Sequence, residues 1–152
     1  MRIPQRLQLI KYTVLIGMLV SVLLSLNLWG GFRYFPKTAF FDNYTGIPAP
    51  YDYINLAILI LLIIVAFLSS KNAPTIILIL FSLYLCADDQ NRLQPWFYNY
   101  NLILLVLLFF KQRVDEPNNY TSIFISIQVL VALVYIFSGL QKFNDHYVTD
   151  TF

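Results

Sequence analysis

The stretch Tyr53-Ile54-Asn55-Leu56-Ala57-Ile58-Leu59-Ile60-Leu61-Leu62-Ile63-Ile64-Val65-Ala66-Phe67-Leu68-Ser69-Ser70 carries no charged residue and several β-branched ones. As a helix it rises about 27 Å at about 1.5 Å per residue. That nearly crosses the hydrocarbon layer of a bilayer, which is about 30 Å thick. The run therefore reads as a membrane span, and its neighbours are read outward from it.

Upstream, Arg2, Arg6 and Lys11 precede an apolar run from Tyr12 to Trp29. Leu26-Asn27-Leu28-Trp29 lacks the small residues of a signal-peptide cleavage site, so this run also reads as a span. Between the two lies an aromatic loop from Gly30 to Asp52, broken by Pro36, Pro48 and Pro50. Its rings suit either the headgroup level of a membrane or the rim of a pocket between helices. Downstream, Lys71-Asn72-Ala73-Pro74 makes a turn, and Pro74 suits the first position of a helix to about Ala87. That apolar part is short for a full crossing, so it either tilts little or keeps its polar end inside the membrane. Pro95 is placed to open a fourth span over Trp96 to Phe110, and Tyr120 to Lys142 forms a fifth.

The reading is an all-α, polytopic transmembrane helix bundle with about five spans, over 12–29, 53–70, 74–87, 96–110 and 120–142. They form a single transmembrane domain over 1–152, either a short protein or the N-terminal part of a larger one. Composition agrees: the 152 residues are 59% hydrophobic and 12% charged, with a mean hydropathy of +0.65, which is too apolar for a soluble core of this size. A formal net charge of +2 with scattered cations points to no nucleic acid partner. Cys86 is the only cysteine and His146 the only histidine. Internal disulfides, dithiol redox chemistry, bis-histidine haem and zinc sites are thereby disfavoured, and Cys86 reads as buried and inert.

Arg2, Arg6, Lys11, Lys71, Lys111 and Arg113 fall on one side of such a bundle, against Arg33, Lys37, Arg92 and Lys142 on the other. The bias favours a cytoplasmic N-terminus. The aromatic loop, the segment Asp88 to Pro95 and Lys142 then all face the non-cytoplasmic side.

Polar groups are costly beside lipid, so Asp88-Asp89-Gln90-Asn91-Arg92-Leu93-Gln94-Pro95-Trp96 is the main pointer to function. Asp88 or Asp89 can pair with Arg92 at helical spacing and simply end a hairpin. Alternatively, Asp88, Asp89, Gln90, Arg92 and Gln94 bind a polar substrate, with Arg92 clamping an anionic group and Trp96, Tyr98 and Tyr100 as an apolar wall. On the last span Gln128, Tyr135 and Lys142 recur every seven residues, with Gly139 on the same face. This stripe is expected to point into the bundle, where Gly139 admits a neighbouring helix. Lys142 either snorkels and satisfies terminal carbonyls, or is deprotonated by an apolar surround and acts as a catalytic base.

The segment Tyr135-Ile136-Phe137-Ser138-Gly139-Leu140-Gln141-Lys142-Phe143-Asn144-Asp145-His146-Tyr147 resembles a helix end of the vitamin K-dependent gamma-carboxylase and its bacterial horizontally transferred transmembrane (HTTM) relatives. The resemblance implies a multispanning enzyme in a bacterial inner membrane. In it Lys142 is the base that starts oxygenation of a quinol, and the product then deprotonates a glutamate side chain for addition of carbon dioxide. Gln94-Pro95 stands where the carboxylase has an amide-histidine pair, so the hairpin offers no imidazole. In length, and in a helix end with glycine before lysine, the chain is also similar to the small DoxX-like membrane proteins, which implies quinone-linked or redox partner complexes.

Two functions follow as expectations. One is a membrane enzyme with Lys142 as general base beside a pocket of Asp88, Asp89, Gln90, Arg92, Gln94, Trp96 and Tyr135, holding a quinone, quinol or bound lipid. The other is a non-catalytic membrane subunit whose polar hairpin fixes helix register or docks a membrane protein partner. Transport fits less well, because 53–70 offers no polar group near its middle.

Overall fold

The computed structural model describes residues 3–30, 36–40, 48–111 and 117–141. Within them the chain is all-helical: α1 Ile3–Leu24, α2 Leu26–Trp29, α3 Ala49–Leu68, α4 Ala73–Asp88, α5 Pro95–Lys111 and α6 Pro117–Gln141, with a 3₁₀ turn Gln90–Arg92 between α4 and α5. Gln5–Leu24 and Pro50–Leu68 are long and apolar enough to cross a membrane, while Ala73–Asp88, Pro95–Phe109 and Thr121–Ile136 are shorter apolar helices.

The first apolar run does not form one helix over 12–29. It starts at Ile3 and breaks at Ser25. The Ser25 hydroxyl donates to the Ser21 carbonyl at 2.6 Å, and the Ser25 amide is shared between Ser21 and Val22. Such back-bonding competes with the regular helical ladder and bends the chain. The short α2 that follows closes where the Gly30 amide bonds the Leu26 carbonyl at 2.8 Å, setting Trp29 into the interior.

A second difference matters more for the site. Asp52 is not the end of a loop; α3 begins at Ala49, with Pro50 in its first turn, and Asp52 lies in that turn as well. Proline suits this place because the amide it lacks has no helical acceptor there. At its other end α3 is capped by the Ser69 amide on the Val65 carbonyl, and a side chain from α1 finishes the job: Lys11 Nζ donates to the Ser69 carbonyl at 3.0 Å. A cation on terminal carbonyls is favourable both as a hydrogen bond and against the helix dipole.

Helix α1 packs on α3 and α5, α3 on α4, α4 on α5, and α5 on α6. Leu15, Met18, Leu59, Ile63, Leu78, Leu85, Phe97 and Leu104 fill the space between them. Gly17 lets α5 approach α1, since a Cβ built there would lie 2.9 Å from the Tyr100 hydroxyl oxygen. The outer surface is apolar as well: Leu24, Leu61, Leu68, Leu80 and Phe109 are all exposed. The charged side chains Asp52, Asp88, Asp89 and Arg92 are buried instead.

Candidate functional site

Chain connectivity brings the start of α3, the end of α4, the 3₁₀ turn and the end of α2 to the same end of the molecule. There the buried charges meet. Helix α4 stops because Asp89 turns extended, at φ −152° and ψ 109°, while its carboxylate accepts from the Asn91 amide at 3.2 Å and so caps the 3₁₀ turn. Gln94 precedes Pro95 and is pushed out of helical geometry by it. Its carbonyl accepts from the amides of Phe97 and Tyr98 as α5 begins.

Arg92 is 1% exposed. Its Nη2 donates to Asp52 Oδ1 at 2.9 Å, and its Nη1 donates to Asp88 Oδ2 at 3.2 Å and to the Leu85 carbonyl at 3.4 Å. Nε lies 4.0 Å from Asp89 Oδ2. The guanidinium also sits 5.5 Å from the centroid of the Trp29 ring, within range of a cation–π attraction. Trp29 is itself wedged against Phe97 and Trp96, with ring centroids 4.8 and 6.5 Å away.

Lys37 completes the cluster from the segment before α3. Its Nζ lies 2.7 Å from Asp52 Oδ1 and 3.5 Å from Asp88 Oδ2. Residues 36–40 are strapped to the hairpin. The Phe40 amide bonds the Ala87 carbonyl at 3.0 Å, and the Gln90 amide bonds the Thr38 carbonyl at 2.8 Å. Gln90 Nε2 reaches the Ala39 carbonyl, and Asn91 Nδ2 reaches that of Pro36.

The residues expected to bind substrate are therefore mostly occupied by the protein itself. Arg92 pairs with Asp88 and Asp52 and lies 4.0 Å from Asp89, whose Oδ1 accepts from the hairpin and strap amides. Gln90 holds the strap, and Gln94 Nε2 donates to the Asn91 carbonyl at 2.9 Å. Trp96 is half-buried in the aromatic stack with Trp29, Phe97 and Tyr100. Among the described residues, no group of three or more His, Cys, Asp or Glu side chains is arranged to hold a metal ion. Asp52 Oδ2 and Arg92 Nε are buried without a hydrogen-bond partner. Cys86 is buried.

Tyr135 is not with them. It is 75% exposed, Gln128 is exposed too, and a Cβ built at Gly139 would meet nothing within 4 Å. The stripe expected to face inward faces outward, because Ile123, Ile127, Leu130 and Val131 are the α6 side chains that turn to the core. Lys142 lies outside the described residues.

Sequence reasoning missed Lys37 and Asp52. The available signal was an aspartate at the start of the purest apolar helix, at the same end as Asp88, beneath a loop that brings one lysine back. Comparison with protein-family profiles, with curated proteins and with solved structures finds no match for the chain.

Proposed function

We propose that this chain is an integral membrane protein whose five long helices cross the bilayer, and that it acts as a non-catalytic membrane subunit. An apolar exterior around buried aspartates and an arginine suits lipid outside and is unsuited to water. The Lys and Arg distribution of the sequence supports an ion cluster on the non-cytoplasmic side and an N-terminus in the cytoplasm. In a bacterial host, as the resemblance implies, the bilayer is the inner membrane.

The observation that carries the non-catalytic reading is the commitment of Arg92: both terminal nitrogens are spent on Asp52 and Asp88. A clamp for an anionic substrate needs those donors free. Spent internally, they tie the starts and ends of three elements together, in the manner of buried polar groups that set helix register. Asp88 hydrogen-bonds Arg92 one turn on, and Asp52 does so from another helix. The hairpin then acts as a staple that keeps short α4 against α3.

Mass spectrometry of the gently solubilised protein, wild type against Lys142→Ala, tests this reading. The expected result is the same complement of small molecules in both. A quinone or lipid held by the wild type and lost from the variant would overturn it in favour of an enzyme with Lys142 as base.

A further inference from the structure

On α6 the positions Thr121, Ile125, Gln128, Ala132, Tyr135 and Gly139 follow one another at alternating steps of four and three residues. That is the spacing of a coiled-coil seam. The first five are exposed, and Gly139 is open to the outside. The side of α6 that carries Ile123, Ile127 and Leu130 is taken up by the core, so the seam lies on the free side.

Gln128 stands near the middle of the apolar stretch Thr121–Ile136. On the membrane reading above, which this inference rests on, that is the depth at which an unpaired amide is least tolerable. No hydrogen bond reaches its side chain from the described residues. Lipid tails offer neither donor nor acceptor.

We propose that α6 is a dimerisation helix, and that the occupant of this seam is α6 of a second copy of the chain. Copies inserted the same way round present parallel helices, so a two-fold axis sets Gln128 opposite Gln128. A primary amide carries donors and an acceptor on one group, and it is thus complementary to itself. Two such amides satisfy each other by reciprocal hydrogen bonds, and the register is fixed as a polar seam residue fixes it in coiled coils. Small residues at Thr121, Ala132 and Gly139 let the backbones come close, which is how helices gain contact where the hydrophobic effect gives none. Tyr135, one turn from Gly139, then packs over the neighbouring groove.

Cysteine cross-linking of the full chain in phosphatidylcholine vesicles tests the seam. The native Cys86 is buried, so the wild type is the blank. Ala132→Cys should give a disulfide dimer faster than Leu61→Cys, a lipid-exposed site on α3. Adding Gln128→Leu to Ala132→Cys removes both reciprocal hydrogen bonds and should weaken the dimer about tenfold, the size of a pair of interhelical side-chain hydrogen bonds in a membrane, while Gln128→Asn keeps most of it. Equal rates at the two cysteine sites, no effect of Gln128→Leu, or a cross-link in native membranes only to a different polypeptide would overturn the proposal. Extraction by alkaline carbonate separates the two levels of failure. A protein that resists the wash yet shows no seam refutes only the dimer, whereas one that washes off refutes the membrane reading itself.

Discussion

Arg92 and Asp52, forty residues apart in sequence, meet at 2.9 Å between the turn after α4 and the first turn of α3. Neither side chain is accessible to solvent beyond 1%. Removing one partner of such a pair leaves a buried charge without compensation, which costs about 3–5 kcal/mol. Arg92→Leu is thus expected to be among the most destabilising single changes in the chain. Asp52→Leu combined with it should cost less than the two changes summed, because without Arg92 the three buried carboxylates Asp52, Asp88 and Asp89 face, among the described residues, only the Lys37 ammonium, and removing Asp52 relieves part of that excess. Unfolding free energies of the four proteins in detergent micelles measure this coupling, and strict additivity would contradict it.

Asp89 has a different role although it stands beside Asp88. Its Oδ1 accepts from the Thr38 amide, the Asn91 amide and Asn91 Nδ2, at 3.3, 3.2 and 3.1 Å. An asparagine carbonyl can accept the same bonds. Asp89→Ala is expected to cost about 1–2 kcal/mol through the lost cap and stranded donors, and Asp89→Asn distinctly less. Thermal unfolding of both variants decides it, since equal losses would mean that charge rather than acceptance is what this position supplies.

Much of this architecture was readable before any coordinates. Helices α4 and α5 follow from apolar runs opened by Pro74 and Pro95, residues whose geometry marks helix starts, and α3 follows from its uncharged run, although Pro50 reads there as a loop breaker and the first turn that holds Asp52 is missed. The Asp88–Arg92 pair follows from helical spacing alone. The Lys37–Asp52 contact does not, because it joins residues fifteen apart across a proline-broken stretch of sequence, and no local periodicity encodes such a pairing. The break at Ser25 was hidden for a related reason: its cause is a hydroxyl bonding its own backbone, inside a run that is uniformly apolar. On α6 the seven-residue period was legible but its direction was not. Both sides of that helix are apolar enough to meet a neighbour, and only the burial of Ile123 and the packing of Ile127 and Leu130 on the core settle which one does.

Among the described residues of the cluster, Lys37 is the most accessible, its side chain 20% exposed. Water and salt reach it, so its bonds should loosen before those of Arg92. Lys37→Met is expected to raise hydrogen exchange at the Phe40 and Gln90 amides by roughly tenfold to a hundredfold, the scale of losing a charged hydrogen bond. Exchange in the middle of α3 and α4 should stay as it was. Mass-spectrometric exchange on the detergent-solubilised protein reads both regions together. Faster exchange throughout α4 would show instead that the strap and the helix open as one unit.

Gly17 on α1 lies against Tyr100 of α5. A methyl group placed there meets the Tyr100 hydroxyl oxygen at 2.9 Å and the ring carbon Cζ at 3.1 Å, closer than packed side chains tolerate. Tyr100 stands against α1, with Trp96 at 6.3 Å between ring centroids, so its ring can shift only by disturbing the stack that ends on Trp29. Gly17→Ala is therefore expected to destabilise by about 1–3 kcal/mol, as overpacked interiors do, even though alanine is the better helix former. Tyr100→Phe removes the nearer of the two clashing atoms and leaves Cζ, so in that background the cost of Gly17→Ala should fall without vanishing. Thermal unfolding of the single and double variants supplies the comparison. A Gly17→Ala protein more stable than the wild type would mean that α1 and α5 are not held as close as these distances require.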